Sequence, residues 1–154
     1  MSTQEASSAS SSSSTAGTPG TPCWFQIPAL DVSRAKAFYA TVFDWTFSTP
    51  PDYPASEMAL FNFPGPNIKL GGGIVRLDKV ATVEKPVGQD YEGENKVTMF
   101  FWCDDVEKRL EKIVEAGGRV VRGKEKEGGH GWRATFGDTE GNVQGLYSLQ
   151  SAST

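Results

Sequence analysis

The stretches IPALDVSRAKAFYATVFDW, residues 27–45, and MFFWCDDVEKRLEKIVEAGGRVV, residues 99–121, decide how this chain is read. In the first, Asp31 precedes Val32, Ala35, Phe38, Tyr39, Val42 and Phe43, apolar positions that recur at helical spacing. A short acidic side chain there can accept from the free N–H groups of a first turn. Asp31 therefore reads as an N-cap, with an amphipathic helix of about three turns behind it. In the second stretch, Asp104-Asp105 opens VEKRLEKIVEAGG, with Val106, Leu110, Ile113 and Val114 inward and Gly117-Gly118 as the stop. A shift of 74 residues lays Asp31 on Asp105, Val32 on Val106, Tyr39 on Ile113, Trp24 on Thr98 and Phe47 on Val121. N-cap, helix face and following strand coincide at one offset, which marks an internal repeat.

Working outward, WFQIPAL before the first helix is a short apolar run broken at Pro28, which suits an edge strand because proline lacks a ladder donor. Trp45–Ser48 reads as a strand, Thr49-Pro50-Pro51-Asp52 as a turn and Glu57–Phe63 as a strand closed by Pro64-Gly65-Pro66. Ile68–Leu77, IKLGGGIVRL, is a fourth strand whose glycines suggest a bulge, a close approach to a ligand, or simply weak packing. It does not end in Lys-Ser or Lys-Thr before a helix, so it is not a phosphate loop. Beyond a polar linker, 78–96, Val97–Trp102 is an apolar strand, Arg119–Arg122 another, GKEKEGGHG a charged loop and Trp132–Phe136 a strand. The last strand sits in DTEGNVQGLY, residues 138–147, where Gly141 takes φ > 0 and Asp138 and Asn142 cap the bend through their side chains. The order is β-α-β-β-β, linker, β-α-β-β-β: an α+β chain of two βαβββ modules, 23–77 and 97–149, each a four-stranded unit with a helix on its outer face, together forming a cupped sheet around a cavity.

Composition bounds the function. The chain has 154 residues, one domain's worth, and a formal net charge of −4. Nucleic acid and anionic membrane both need a basic patch to bind, and here Lys and Arg are interspersed with Asp and Glu. Residues 1–22 carry almost no large apolar side chain, so a disordered tail is expected there and a flexible end at 150–154. The tail has no apolar signal core and no arginine, which points to a cytoplasmic protein. Two cysteines, Cys23 and Cys103, are too few for a disulfide framework and read as reduced thiols, a nucleophilic Cys103 being the lesser alternative.

The two helical stretches and FGDTEGNVQGLY together resemble the vicinal oxygen chelate superfamily, the glyoxalase, bleomycin-resistance and extradiol-dioxygenase group, over roughly Cys23–Leu149. The resemblance implies a barrel-like, antiparallel or mixed cupped sheet and a homodimer. It also implies metal ligands from His, Gln and Glu at four places on strands facing the cup. Carried over, those places fall on Trp24, on Thr98, on Gly145 and at or near Gly71–Gly73. None of these side chains binds a transition metal usefully, and the chain has a single histidine. No metal or other cofactor is expected; a divalent metal on displaced ligands such as Gln26, Glu57 and His130 is the alternative, with lactoylglutathione-lyase-like or extradiol-dioxygenase-like chemistry.

If Trp24 and Thr98 face the cavity, strand alternation puts Gln26, Phe100 and Trp102 there too, and Tyr147 beside Gly145. Such a wall suits a small hydrophobic or aromatic metabolite, held by sequestration or turned over by metal-free isomerase or lyase chemistry, although inward aromatics also suit a plain core. His130, between glycines in GGHGW, is the candidate general acid or base at the cavity rim, or else an exposed loop histidine. Arg133 offers a grip on an anionic group, or else a surface charge on an edge strand.

Overall fold

The computed structural model of the chain describes residues 19, 22, 24–66, 68, 70–79 and 97–149. Cys23, most of the 1–22 tail, most of the 78–96 linker and the 150–154 end lie outside the described residues. The chain runs β1 (Trp24–Ala29), α1 (Val32–Phe43), β2 (Thr46–Ser48), β3 (Met58–Asn62), β4 (Gly71–Arg76), a 3-10 turn at Leu77–Lys79, β5 (Phe100–Trp102), α2 (Val106–Glu115), β6 (Arg119–Glu127), β7 (Gly131–Gly137) and β8 (Val143–Leu149). Two four-stranded sheets result, in the orders β1-β4-β3-β2 and β5-β8-β7-β6. Each is mixed: β1 lies parallel to β4 and β5 to β8, while the other pairs are antiparallel. Of the antiparallel or mixed sheet expected, the mixed form is the one found. A strand that enters a helix must return across the sheet, so the first strand of each module meets the last one head to head. Pro28 sits on an edge strand, as its missing N–H requires. The two sheets do not close into a barrel within the chain.

Both helices begin as the sequence indicates. Asp31 accepts from the N–H of Arg34 at 3.0 Å and Asp105 from that of Lys108 at 3.1 Å. At the end of α2, Gly117 adopts φ +94°, and the N–H groups of Gly117 and Gly118 donate back to the carbonyls of Val114 and Ile113. Helix α1 buries Val32, Ala35, Phe38, Tyr39, Val42 and Phe43, whereas α2 buries only Val106, Leu110 and Ile113; Val114, expected inward, is exposed. The reason is position. Helix α1 lies against both halves of one core, its Phe38 and Phe43 rings 6.3 and 5.8 Å from Phe136 of β7 and Phe43 4.9 Å from Phe101 of β5.

Polar groups of the second module also hold α1 at both ends. The carboxylate of Glu140 accepts from the backbone N–H of Asp31 at 2.9 Å and from Arg34 at 2.7 and 3.0 Å. Arg109 of α2 donates to the carbonyl of Val42 in the last turn. An anion at the N-terminus and a cation at the C-terminus complement the unpaired groups and the dipole of a helix. Between them, buried Tyr39 donates to Asp138 at 2.8 Å. Asp138 accepts in addition from the N–H groups of Glu140 and Asn142 and from the Asn142 amide, each at 2.8 Å. That amide also donates to the carbonyl of Pro28, 2.8 Å away in β1. The turn with Gly141 at φ +88° is thus the joint between modules as well as a bend.

Three local expectations change. GKEKEGGHG is mostly strand: β6 continues to Glu127, and only Gly128–His130 turn the chain over. Strand β5 is shorter than expected, beginning at Phe100. The Gly71–Gly73 run carries no bulge, since its register against β1 is unbroken. A methyl on Gly72 would lie 2.1 Å from the Phe61 ring and 2.4 Å from the Phe25 carbonyl, so the close approach there belongs to a core ring. None of the described helices is long and apolar enough to cross a membrane.

Candidate functional site

On β8, Gln144, Leu146 and Ser148 are buried towards the core, and strand alternation puts Val143, Gly145 and Tyr147 on the opposite face of the second sheet. Val143 and Tyr147 are partly open there, and Gly145 is buried under the Phe100 ring. The pairing register builds two rows across that face. One runs Phe100, Gly145, Thr135, Arg122; the next runs Trp102, Tyr147, Arg133, Glu125. Each row is apolar at the β5 edge and polar or charged at the β6 edge. In the first, the Phe100 ring lies over Gly145, where an added methyl would come within 2.3–2.7 Å of three ring atoms. In the second, Trp102 meets Tyr147 edge to face at 5.4 Å. Trp102 is 70% exposed and Phe100 43%. Exposure on that scale is uncommon for adjacent large aromatics on one face.

Phe100 borders two cavities. Towards the module junction lies a cleft of about 400 Å³, walled by Trp45, Phe63, Phe101, Leu70 and Met99 among other apolar side chains. Towards β6 lies a pocket of about 230 Å³ lined by Val121, Arg122, Glu125, Arg133 and Thr135. Arg133 is on a central strand, not the expected edge, and its Nε donates to Glu125 at 2.8 Å, with Glu127 at 3.6 Å. Arg122 is 3.6 Å from Glu125. Two guanidinium groups and two carboxylates therefore balance.

The first sheet has an open face of its own, with Trp24, Gln26, Met58 and Leu60 on it. A methyl on Gly73 would touch the Trp24 indole at 3.7 Å and Leu60 at 3.6 Å. An aromatic from the edge strand thus covers a glycine of the neighbouring strand in both modules. The residues expected in one cup divide accordingly: Trp24 and Gln26 on one sheet, Phe100, Trp102, Arg133, Gly145 and Tyr147 on the other, with exposed Thr98 just before β5. Within one chain these sets belong to different sheets. His130 is exposed at the tip of the β6–β7 hairpin, where its N–H donates to the Glu127 carbonyl, and it lines none of these cavities. Burial pushes the Cys103 thiol up, with Asp104 and Asp105 adding to this and Arg109 opposing, which keeps it protonated and poorly nucleophilic.

Thr135, Arg122, Glu125 and Val121 line the smaller pocket and were not among the residues expected from sequence. Alternation from Arg133 along the same strand could have found Thr135. Val121 and Arg122 lie in a strand that was expected but beside register shifts that sequence does not show, and Glu125 lies in the part of β6 that reads as a charged loop.

A glyoxalase-like domain family model matches residues 24–146. The chain belongs to this glyoxalase-like family. It is 32% identical over 124 residues to a glyoxylase-like domain-containing protein of Didymella fabae, covering 79% of this chain and 88% of that protein. Among solved structures, a glyoxalase/bleomycin resistance protein/dioxygenase family enzyme from Burkholderia phytofirmans has a TM-score of 0.61 at 17% identity, over 83% of this chain and 98% of the other. An antibiotic-binding protein from a Streptomyces species has a TM-score of 0.57 at 19% identity, over 85% and 97%. These structural matches share the fold; the family model and the 32% identical relative carry the membership, in line with the resemblance to the vicinal oxygen chelate superfamily.

The side chains at the carried-over positions of this glyoxalase-like domain do not fit a transition metal. The carried-over positions hold an indole, a hydroxyl and glycines, and the Phe100 ring fills the space over Gly145. Of the displaced candidates, Glu57 pairs with Arg76 at 3.2 Å and Lys79 at 3.8 Å. Among the described residues no three His, Cys, Asp or Glu side chains come together as a metal group.

Proposed function

We propose that this glyoxalase-like protein binds a small hydrophobic or aromatic metabolite, without a resident metal, on the open face of its second sheet. The exposed pair of rows led by Phe100 and Trp102 carries this reading. Flat rings at a sheet edge offer stacking area at little conformational cost, and the adjoining cleft offers room for an apolar body. A structural neighbour described as antibiotic-binding supports a small-molecule ligand. Sequestration fits the face better than turnover, because His130 stands away from it at the hairpin tip.

A homodimer belongs to this reading. Each sheet exposes an aromatic face, with Trp24 48% and Trp102 70% accessible. A second copy laying its first sheet over the second sheet of its partner covers both and brings Trp24 and Gln26 opposite Phe100 and Gly145. The cytoplasm is the compartment proposed for it.

A thermal-shift screen of aromatic metabolites tests the proposal, with elemental analysis of protein purified without chelator alongside. Binding that raises the melting temperature and is lost in Trp102→Ala, with substoichiometric metal, is expected. One tightly held Zn, Ni, Fe or Mn per chain, or a library without a single stabilising compound, would overturn it.

A further inference from the structure

The second sheet's face is graded, and the grading describes what lies on it. At the β5 edge the side chains are Phe100 and Trp102; two strands away they are Thr135 and Arg133; at the far edge they are Arg122 and Glu125. Gly145 contributes no side chain to the first row, so the Phe100 ring lies down against the strand and the row between Phe100 and Thr135 stays flat. A planar molecule can lie across such a row, whereas a bulky aliphatic one would leave it in places.

The charged end sets the character of the ligand's other edge. Arg133 uses its Nε on Glu125, which leaves guanidinium N–H groups to offer, and Thr135 adds a hydroxyl in the same pocket. Glu125 and Glu127 already neutralise Arg133 and Arg122 there. A carboxylate brought to Arg133 meets Glu125 at similar range and is repelled by it, whereas an uncharged oxygen takes an Arg133 hydrogen bond without disturbing the balance.

We infer that the ligand is a neutral, planar, largely apolar molecule with a carbonyl or hydroxyl oxygen on one edge, its body against Phe100 and Trp102 and its oxygen at Arg133. This rests on the reading of the face as a small-molecule site.

The test uses isothermal titration of the full chain with naphthalene, 2-naphthol and 2-naphthoate. The wild type is expected to bind 2-naphthol about tenfold more tightly than naphthalene, the size of one hydrogen bond to a charged donor, and 2-naphthoate no more tightly than 2-naphthol. Arg133→Gln should erase the preference for 2-naphthol and leave naphthalene within about twofold. Glu125→Gln should move the preference to 2-naphthoate, because Arg133 and Arg122 are then left with Glu127 alone and one positive charge is uncompensated; a merely structural role for the pair predicts no such reversal. Equal binding of naphthalene and 2-naphthol, or 2-naphthoate binding tightest in the wild type, overturns the inference while leaving a small-molecule site in place. Failure of all three probes to bind overturns the reading of the face and this inference with it.

Discussion

Module one contributes its helix to the join, and module two contributes its sheet to the open face. The two repeat one plan at a 74-residue offset, with an aspartate N-cap and helix in the same place in each. Yet α1 buries six side chains and has both ends held by the other module, while α2 buries three and turns its charged side to solvent. The glycines differ in the same sense. Gly72 of module one leaves room for a core ring, and Gly145 of module two leaves room for a ring on the surface. A repeat of this kind can keep its fold while giving one helix most of the cohesion and leaving an open aromatic face on each sheet.

Substitutions can break this division in order of expected effect. Asp138→Ala removes an acceptor from four donors, Tyr39 among them, and should cost about 4 kcal/mol, a fall of roughly 8–16 °C in melting temperature followed by circular dichroism. A change under about 1 kcal/mol would mean that the joint does not hold the modules together. Gly72→Ala drives a methyl into Phe61 and the Phe25 backbone and should cost about 3 kcal/mol in urea titrations. Gly145→Ala, with an equally close built contact, should cost only about 1 kcal/mol, because the half-exposed Phe100 ring can swing away; ligand affinity should fall instead. Equal losses at the two glycines would erase the distinction between a core face and an open one. The last and smallest effect is in pH. Although burial acts to raise it, hydrogen bonds from Arg34, Asp31 and Thr139 hold the Glu140 carboxyl below its ordinary value. Its contribution is therefore complete above the ordinary carboxylate range and is lost as pH falls through the lowered value. The gap in stability between the wild type and Glu140→Gln should close on acidification, and a gap that widens would contradict the assignment.

Much of the fold was legible because its signals are local. An aspartate before a 3.6-residue apolar pattern fixes a helix start, and Gly117-Gly118 fixes a stop. The first part of β6, Arg119–Arg122, was legible as a strand, but Gly123–Glu127 was not, because Lys and Glu on a sheet edge present no apolar face and read as a loop. The candidate face was legible strand by strand: alternation put Trp24 with Gln26 and Phe100 with Trp102, and each pair shares the exposed side of its strand. Which strands face one another is a long-range property, so Trp24 and Gly145 were expected on one wall, whereas they stand on separate sheets. The role of Glu140 was hidden for the same reason, its partners Asp31 and Arg34 lying more than a hundred residues away.

Mixing two damaged chains tests the shared face most directly. Trp24→Ala and Trp102→Ala homodimers should each bind an aromatic ligand poorly, since each damages one side of every site. After unfolding and refolding together in equal amounts, half of the dimers are mixed and each carries one intact site, so about a quarter of the wild-type binding capacity should return with wild-type affinity. No recovery, or normal binding by Trp24→Ala alone, would contradict a site built from the first sheet of one copy and the second sheet of another.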